Sequence, residues 1–288
     1  MEKREPEHPP SRRQILDDLR GRGFRFRRRR GQHFLFEPQL LDALVRDAGV
    51  KESERILEVG AGTGTLTRTL LARGCHVLAV EIDGDLARYL TDSIDSPRLT
   101  ILPADALAGK NHLSSPVEVE LSRWAAPFRL VANLPYSIAT PLLMLLLEHL
   151  PRFQGAAVLV QREVAERWVA REGSPAYGPA SVLLALFGEG RILRHVPRHL
   201  FTPPPRVDSA FYLWRPSGGP PGRLDGVRRL VRRLFQGRRK MLRSLLKGTL
   251  PDADPWWGIA GIDPRWRPEQ VPPEGFLRLE ERLREDAG

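Results

Sequence analysis

Ile56-Leu57-Glu58-Val59-Gly60-Ala61-Gly62-Thr63-Gly64 is the stretch that decides the fold. A short apolar run passes into three alternate glycines, and a helical pattern (Leu66, Leu70, Leu71) follows. Glycine allows a sharp strand-to-helix turn and lets the backbone approach a ligand closely. A second apolar strand, His76 to Val80, ends in Glu81-Ile82-Asp83. An acid there, roughly 20 residues after the loop, is placed to bind the two hydroxyls of a ribose. A third strand, Leu99 to Leu102, leads to Asp105-Ala106, where a carboxylate can accept from an adenine amino group. The pattern predicts an open, Rossmann-like α/β sheet that holds a nucleoside at the carboxyl ends of its strands.

The glycine spacing narrows the ligand. The dinucleotide fingerprint G-x-G-x-x-G wants its third glycine at Thr65, and here it comes one residue early, at Gly64. G-x-G-x-G followed by two acidic strand ends favours S-adenosylmethionine, which has no pyrophosphate to seat on the helix.

Further along, the apolar run Arg129-Leu130-Val131-Ala132 closes in Asn133-Leu134-Pro135-Tyr136, and a helix-compatible stretch follows from Pro141. This places an amide, an exposed carbonyl, a rigid turn and an aromatic ring at the end of another parallel strand. The set suits holding the exocyclic amine of a flat base in line with an electrophilic methyl group. No metal is needed for a transfer from a sulfonium, since positioning does most of the work.

Composition bounds the partners. The chain has 288 residues, enough for one large core plus a smaller lobe, and its net charge of +10 points to a polyanion. Of its 45 basic residues only five are lysines. Arginine offers a planar fork for phosphate, although a GC-rich genome gives the same bias. The single cysteine, Cys75, excludes an intramolecular disulfide and a Cys-based zinc cluster, and reads as a small buried hydrophobe. No apolar run is long enough to span a membrane and no apolar signal segment stands at the N-terminus. A cytoplasmic protein with no membrane or metal partner is the expectation.

Residues 1–30 are polar and end in Arg27-Arg28-Arg29-Arg30, so a disordered basic extension is expected there. The catalytic domain is expected over 31–216 and a hinge over 217–222, at Ser217-Gly218-Gly219-Pro220-Pro221-Gly222. Beyond it, 223–288 should form a small all-helical domain, with helical spacing over Leu224 to Phe235, Arg238 to Leu246 and Phe276 to Leu283. Arg232-Arg233 and Arg238-Arg239-Lys240 alternate there with Leu234, Phe235, Met241 and Leu242, as in an amphipathic helix pair that grips an RNA backbone.

These residues carry a family resemblance. The segments GQHFL (Gly31–Leu35), LEVGAGTGTLT (Leu57–Thr67), VEID (Val80–Asp83) and ANLPYSIATPLL (Ala132–Leu143) are matched by four more. Those are VQREVAERWVA (Val160–Ala170), YGPASV (Tyr177–Val182), FTPPPRVDSA (Phe201–Ala210) and QGRRKMLRSLLKG (Gln236–Gly248). Together they resemble the ribosomal RNA adenine N6,N6-dimethyltransferases, in the branch that modifies small-subunit (16S) rRNA. A related branch methylates large-subunit (23S) rRNA and confers macrolide resistance. It usually carries isoleucine where Leu134 stands, lacks the YGPASV segment and has a different C-terminal lobe. Some mitochondrial members work as transcription factors, so a noncatalytic nucleic-acid-binding role is the other alternative.

The resemblance implies a seven-stranded class I methyltransferase sheet using S-adenosylmethionine. It implies dimethylation of two adjacent adenosines in a hairpin near the 3′ end of 16S rRNA, with the enzyme acting as a monomer on an immature small subunit. Gln32, His33 and Leu35 should lie over the cofactor, Gly60 and Gly62 should line its loop, and Glu81 should hold the ribose. Ile82 should pack on the cofactor's adenine, with Asp105 and Ala106 at its amino group. Asn133 should sit where cofactor and target amine meet. Catalysis should fall to Asn133, Leu134, Pro135 and Tyr136, with Phe201 on the other face of the target base. The family usually has asparagine where His33 stands; imidazole replaces one amide hydrogen bond and not both, so a backbone contact is the one expected to survive there. Asp208 and Ser209 should shape the loop before the last strand.

Overall fold

The computed structural model describes residues 10–25, 32–109, 111–218 and 224–285. The strands are β1 (Phe34–Leu35), β2 (Arg55–Val59), β3 (His76–Glu81), β4 (Leu99–Pro103), β5 (Phe128–Asn133), β6 (Phe153–Gln161), β7 (Gly188–Val196), β8 (Phe201–Thr202) and β9 (Ser209–Pro216). Helices α1 (Arg12–Gly21), α2 (Pro38–Asp47), α3 (Thr65–Ala72), α4 (Gly84–Ser93), α5 (Ser115–Arg123) and α6 (Ala139–Leu146) accompany the first half. They are followed by α7 (Arg162–Trp168), α8 (Pro179–Phe187), α9 (Leu224–Gln236), α10 (Leu242–Leu245), α11 (Trp256–Ile259) and α12 (Pro273–Glu285).

Seven strands form one sheet in the order β4-β3-β2-β5-β6-β9-β7, and β1 and β8 form a separate antiparallel ribbon. β2 pairs in parallel with both β3 and β5, so the chain winds outward one way from β2 through β3 to β4, and the other way from β5 to β6. Such a reversal leaves a crevice at the carboxyl ends of the two central strands. Here β2 runs into the glycine loop and β5 into Asn133–Tyr136. β2, β3 and β5 are almost wholly buried. A parallel strand covered on both faces needs apolar residues on both, which is why these strands read as unbroken apolar runs.

Two compact units divide the chain: Met1–Arg162 with Leu193–Leu213, and Glu163–Ile192 with Trp214–Gly288. The second is helical and starts earlier than the sequence implies, because α8 packs with α9 and α12. Inside it Tyr177 Oη donates to the Val271 carbonyl at 3.0 Å, and the rings of Phe235 and Phe276 stack at 5.9 Å. The helix expected over Arg238–Leu246 is reduced to α10. Main-chain N–H groups of Leu242 and Arg243 donate to the Trp266 and Pro264 carbonyls at 2.7 and 2.9 Å, so the first turn of α10 is held by a neighbouring loop. Much of the expected hinge, residues 219–222, lies outside the described residues. Among the described residues no helix is long and apolar enough to cross a membrane.

The expectation of a disordered segment over 1–30 is corrected for α1. Ser11 caps that helix: Gln14 N–H donates to Ser11 Oγ at 3.3 Å, and the Gln14 side chain accepts from Ser11 N–H at 2.8 Å, a capping box. Ile15 and Leu19, each 2% exposed, join Phe24, Phe34, Phe36, Leu86 and Tyr89 in a small apolar cluster. One amphipathic face supplied by a neighbouring fold suffices to order ten polar-rich residues. The Arg27–Arg30 run lies outside the described residues. Leu19→Ala is expected to cost about 2 kcal/mol or more, read as faster amide hydrogen exchange through residues 12–21. Exchange equal to that of the parent would show that the helix is ordered by its cap alone.

Candidate active site

A cavity of about 500 Å³ opens at the crevice between β2 and β5. Its floor is the glycine loop, where Gly60, Gly62 and Gly64 all have positive φ (78°, 58° and 76°). The loop is also sterically closed. A Cβ at Gly60 would lie 3.1 Å from Pro135 Cδ, and one at Gly62 would lie 2.9 Å from the Phe34 ring. The loop after β2 and the turn after β5 therefore touch, and only glycine lets them.

Glu81 ends β3 and is buried. Its Oε2 accepts from Gly62 N–H at 2.8 Å and its Oε1 from Asp83 N–H at 2.9 Å. A carboxylate fixed at both oxygens cannot swing, so it presents a rigid acceptor at the end of β3. Beside it Ile82 is an apolar side chain 54% exposed at the cavity wall, a surface that an adenine ring would cover. Asp105, after the neighbouring strand β4, also lines the cavity; its Oδ1 accepts from Leu107 N–H at 3.0 Å. Ala104 and Ala106 complete that side. Gln32 Nε2 donates to Asp83 Oδ2 at 3.1 Å, and Leu35 lines the rim. A nucleoside with a flat base and a free ribose diol fits this donor set.

The turn after β5 faces the same space. Asn133 Nδ2 donates to the His33 carbonyl at 3.0 Å, which orients the amide and leaves Oδ1 as its acceptor. Among the described residues no donor reaches Asn133 Oδ1 or the Leu134 carbonyl. Tyr136 Oη lies 3.1 Å from Ser209 Oγ, and burial, only partly opposed by that hydrogen bond, raises the phenol above its ordinary value. Tyr136 stays neutral and serves as a flat surface. Ser209 fixes the ring, and Asp208 Oδ1 accepts from Arg198 N–H at 3.0 Å, so both shape the loop as expected.

His33 takes a role that its neighbours define. A carbonyl can only accept, so Nδ1 carries the proton and donates to Pro203 O at 2.7 Å. The imidazole stacks on Tyr136 with ring centroids 5.8 Å apart. Its backbone carbonyl accepts from Asn133 Nδ2, so the backbone at this position is tied to the turn after β5. Phe201 does not join the cavity. It is 2% exposed, packed in the main core from β8, and borders a separate depression. With β8 paired to β1, the ring sits in the core and outside the lining of the cavity.

The sequence reading passed over Glu58, an acid inside an apolar strand, which was itself a signal. Glu58 is 1% exposed, lines the cavity and accepts from Thr67 Oγ1 at 2.7 Å. Burial pushes its carboxyl up to about 8, with Thr67 opposing and Glu81 adding to the rise. The folded chain thus keeps a proton that the unfolded chain releases near its ordinary 4.5. That contribution to stability is complete at low pH and is lost as pH rises from about 5 through about 8. Glu58→Gln is expected to flatten this dependence, so that melting temperatures at pH 6 and pH 8.5 converge. An unchanged gap between them would place the titration elsewhere.

A parallel sheet that reverses between β2 and β5, with a buried acid at the end of β3 on one side and an amide turn on the other, is the working edge of the class I S-adenosylmethionine-dependent methyltransferases. Solved structures share the fold. A dimethyladenosine transferase from Plasmodium falciparum superposes with a TM-score of 0.69 at 25% identity, covering 88% of this chain and 98% of that one. The 23S rRNA methyltransferase ErmE gives 0.64 at 27% identity, covering 87% and 99%. The chain belongs to the ribosomal RNA adenine dimethylase family, whose model matches residues 23–285. Among curated relatives, ribosomal RNA small subunit methyltransferase A of Cereibacter sphaeroides is 38% identical over 277 residues, covering 93% of this chain and 96% of its own. Its namesake from Jannaschia sp. is 40% identical over 277 residues, covering 92% and 91%.

Proposed function

We propose that this protein dimethylates N6 of two adjacent adenosines in a hairpin near the 3′ end of 16S rRNA. It acts in the cytoplasm, as a monomer, on the small ribosomal subunit. The observation that carries the reading is the Asn133 amide, whose nitrogen is taken by the His33 carbonyl and whose oxygen receives no donor among the described residues, at a cavity that Leu134 also lines.

S-adenosylmethionine, when bound, supplies a methyl group already activated by a sulfonium. Glu81, Ile82 and Asp105 are the residues to hold its ribose and adenine, with Gly60 and Gly62 beneath it. The remaining problem is the amine: the N6 lone pair of adenine is delocalised into the ring. Asn133 Oδ1 and the Leu134 carbonyl can accept the two N6 hydrogens in a tetrahedral arrangement and draw that lone pair out of conjugation. Pro135 fixes the turn that aims the carbonyl. Tyr136 offers its ring to the base, which must leave its stack to reach it. In the second unit Arg232, Arg233, Arg238, Arg239 and Lys240 supply a basic face for the rRNA backbone.

The test is transfer of labelled methyl from S-adenosylmethionine to small subunits from a strain lacking the modification, with naked large-subunit rRNA alongside. Mass spectrometry should find dimethyladenosine at two adjacent small-subunit positions. Label confined to one large-subunit adenine would move the protein to the 23S branch. RNA binding without any label would make it a binding protein.

A further inference from the structure

A second cavity, of about 470 Å³, is lined by Arg12, Arg198, His199, Thr202, Pro204 and Pro205, with Phe201 at its base. All these residues belong to the first unit. Its charge is one-sided. On α1, Asp17 pairs with Arg13 and Arg20, and Asp18 with Arg22. Arg12 instead lies over the Phe36 ring at 5.9 Å and has no carboxylate partner among the described residues. Arg198 directs Nη1 to the Arg206 carbonyl at 3.2 Å. The nearby Asp208 carboxylate is engaged by the Arg198 main-chain N–H rather than by its guanidinium. Two exposed arginines therefore line a cleft whose apolar lining is Phe201, Pro204 and Pro205.

The place of this cleft is equally specific. Thr202, at its edge, is followed directly by Pro203, whose carbonyl accepts from His33, and the His33 ring lies on Tyr136. One residue of chain and one imidazole thus connect the cleft to the turn that receives the target adenine. A neutral ligand would leave both cations bare, and a small free anion would leave the proline rings uncovered. Guanidinium forks match phosphate oxygens, and their flat faces accept a sugar or base.

We propose that this cleft seats the phosphodiester and sugar of the nucleotide next to the adenosine being methylated. The inference rests on the reading that rRNA is the substrate, and it gives α1 a task. Arg12 lies outside the residues that the family model covers, so the cleft adds a contact beyond them.

The experiment measures KM for unmodified small subunits against salt, for the parent and for Arg12→Gln, Arg198→Gln and Arg13→Gln. Each phosphate contact contributes about 0.7–0.9 to the slope of log affinity against log salt. With one phosphodiester shared by both arginines, Arg12→Gln and Arg198→Gln should each lower the slope by part of that amount and together by about 0.7–0.9, raising KM while leaving kcat and cofactor affinity at parent values. Arg13→Gln, already neutralised by Asp17, should leave the slope unchanged. Parent slopes in both cleft variants, or an equal loss in Arg13→Gln, would overturn the subsite while the parent's methylation of subunits kept the functional reading intact. A parent that methylates no small subunit would overturn both.

Discussion

Asn133→Ala should slow methyl transfer to small subunits by about 10²–10³-fold at saturating cofactor, the usual effect of removing one preorganised polar group from a reacting centre. The reason is geometric. The substitution deletes the Oδ1 acceptor at the cavity, and with it one of the two groups that can reshape the amine. It also frees the His33 carbonyl, which now receives Asn133 Nδ2 at 3.0 Å. That second loss is a neutral hydrogen bond worth about 0.5–1.5 kcal/mol, so cofactor affinity should change by less than about tenfold. Asn133→Asp separates the two contributions. It keeps an oxygen at the reacting side but turns a carboxylate toward the His33 carbonyl, so it should fail to restore the rate. The measurement is a single-turnover rate with saturating cofactor, paired with a calorimetric titration of the cofactor itself. Rate and affinity falling together in Asn133→Ala would sink the acceptor role and leave Asn133 as a binding residue.

How much of this site was legible depended on how local its signals are. Gly60 and Gly62 announce themselves because other residues rarely adopt their positive φ, and a Cβ there would crowd Pro135 and Phe34. Glu81 is legible because it ends an apolar strand, and Asn133–Tyr136 because four chemically distinct residues follow another. What could not be read depends on chain segments far apart in sequence. The contact of His33 with Pro203 spans 170 positions and exists only because β1 pairs with β8. The core position of Phe201, beside the same pairing, is non-local in the same way. α1 was overlooked for a different reason. Its composition is that of a solvated arm, and its two buried residues gain a partner only through Phe34, Phe36 and Leu86. The division into units was hidden likewise: α8 precedes two strands of the sheet, yet it packs with α9 and α12.

Glu81→Gln should raise the dissociation constant for S-adenosylmethionine by about 10–100-fold. A carboxylate presents two acceptors, and here both are in use by main-chain donors, from Gly62 and from Asp83. Glutamine presents one acceptor and one donor, so one of those N–H groups must face an amide N–H instead. An unsatisfied buried donor costs about 1–3 kcal/mol, and the Gly62 N–H belongs to the loop on which the cofactor rests. The ribose diol would lose its fixed charged acceptor at the same time. A second readout distinguishes this from general misfolding. Glu81 is one cause of the raised carboxyl at Glu58, through repulsion between two buried negative charges. Removing the charge at 81 lets Glu58 ionise with less penalty, so the variant should lose less stability than the parent between pH 6 and pH 8.5. Weakened cofactor binding together with a flatter pH dependence of the melting temperature is therefore the expected pair. Unchanged cofactor affinity would mean that the ribose is held elsewhere, and an unchanged pH dependence would uncouple Glu81 from Glu58.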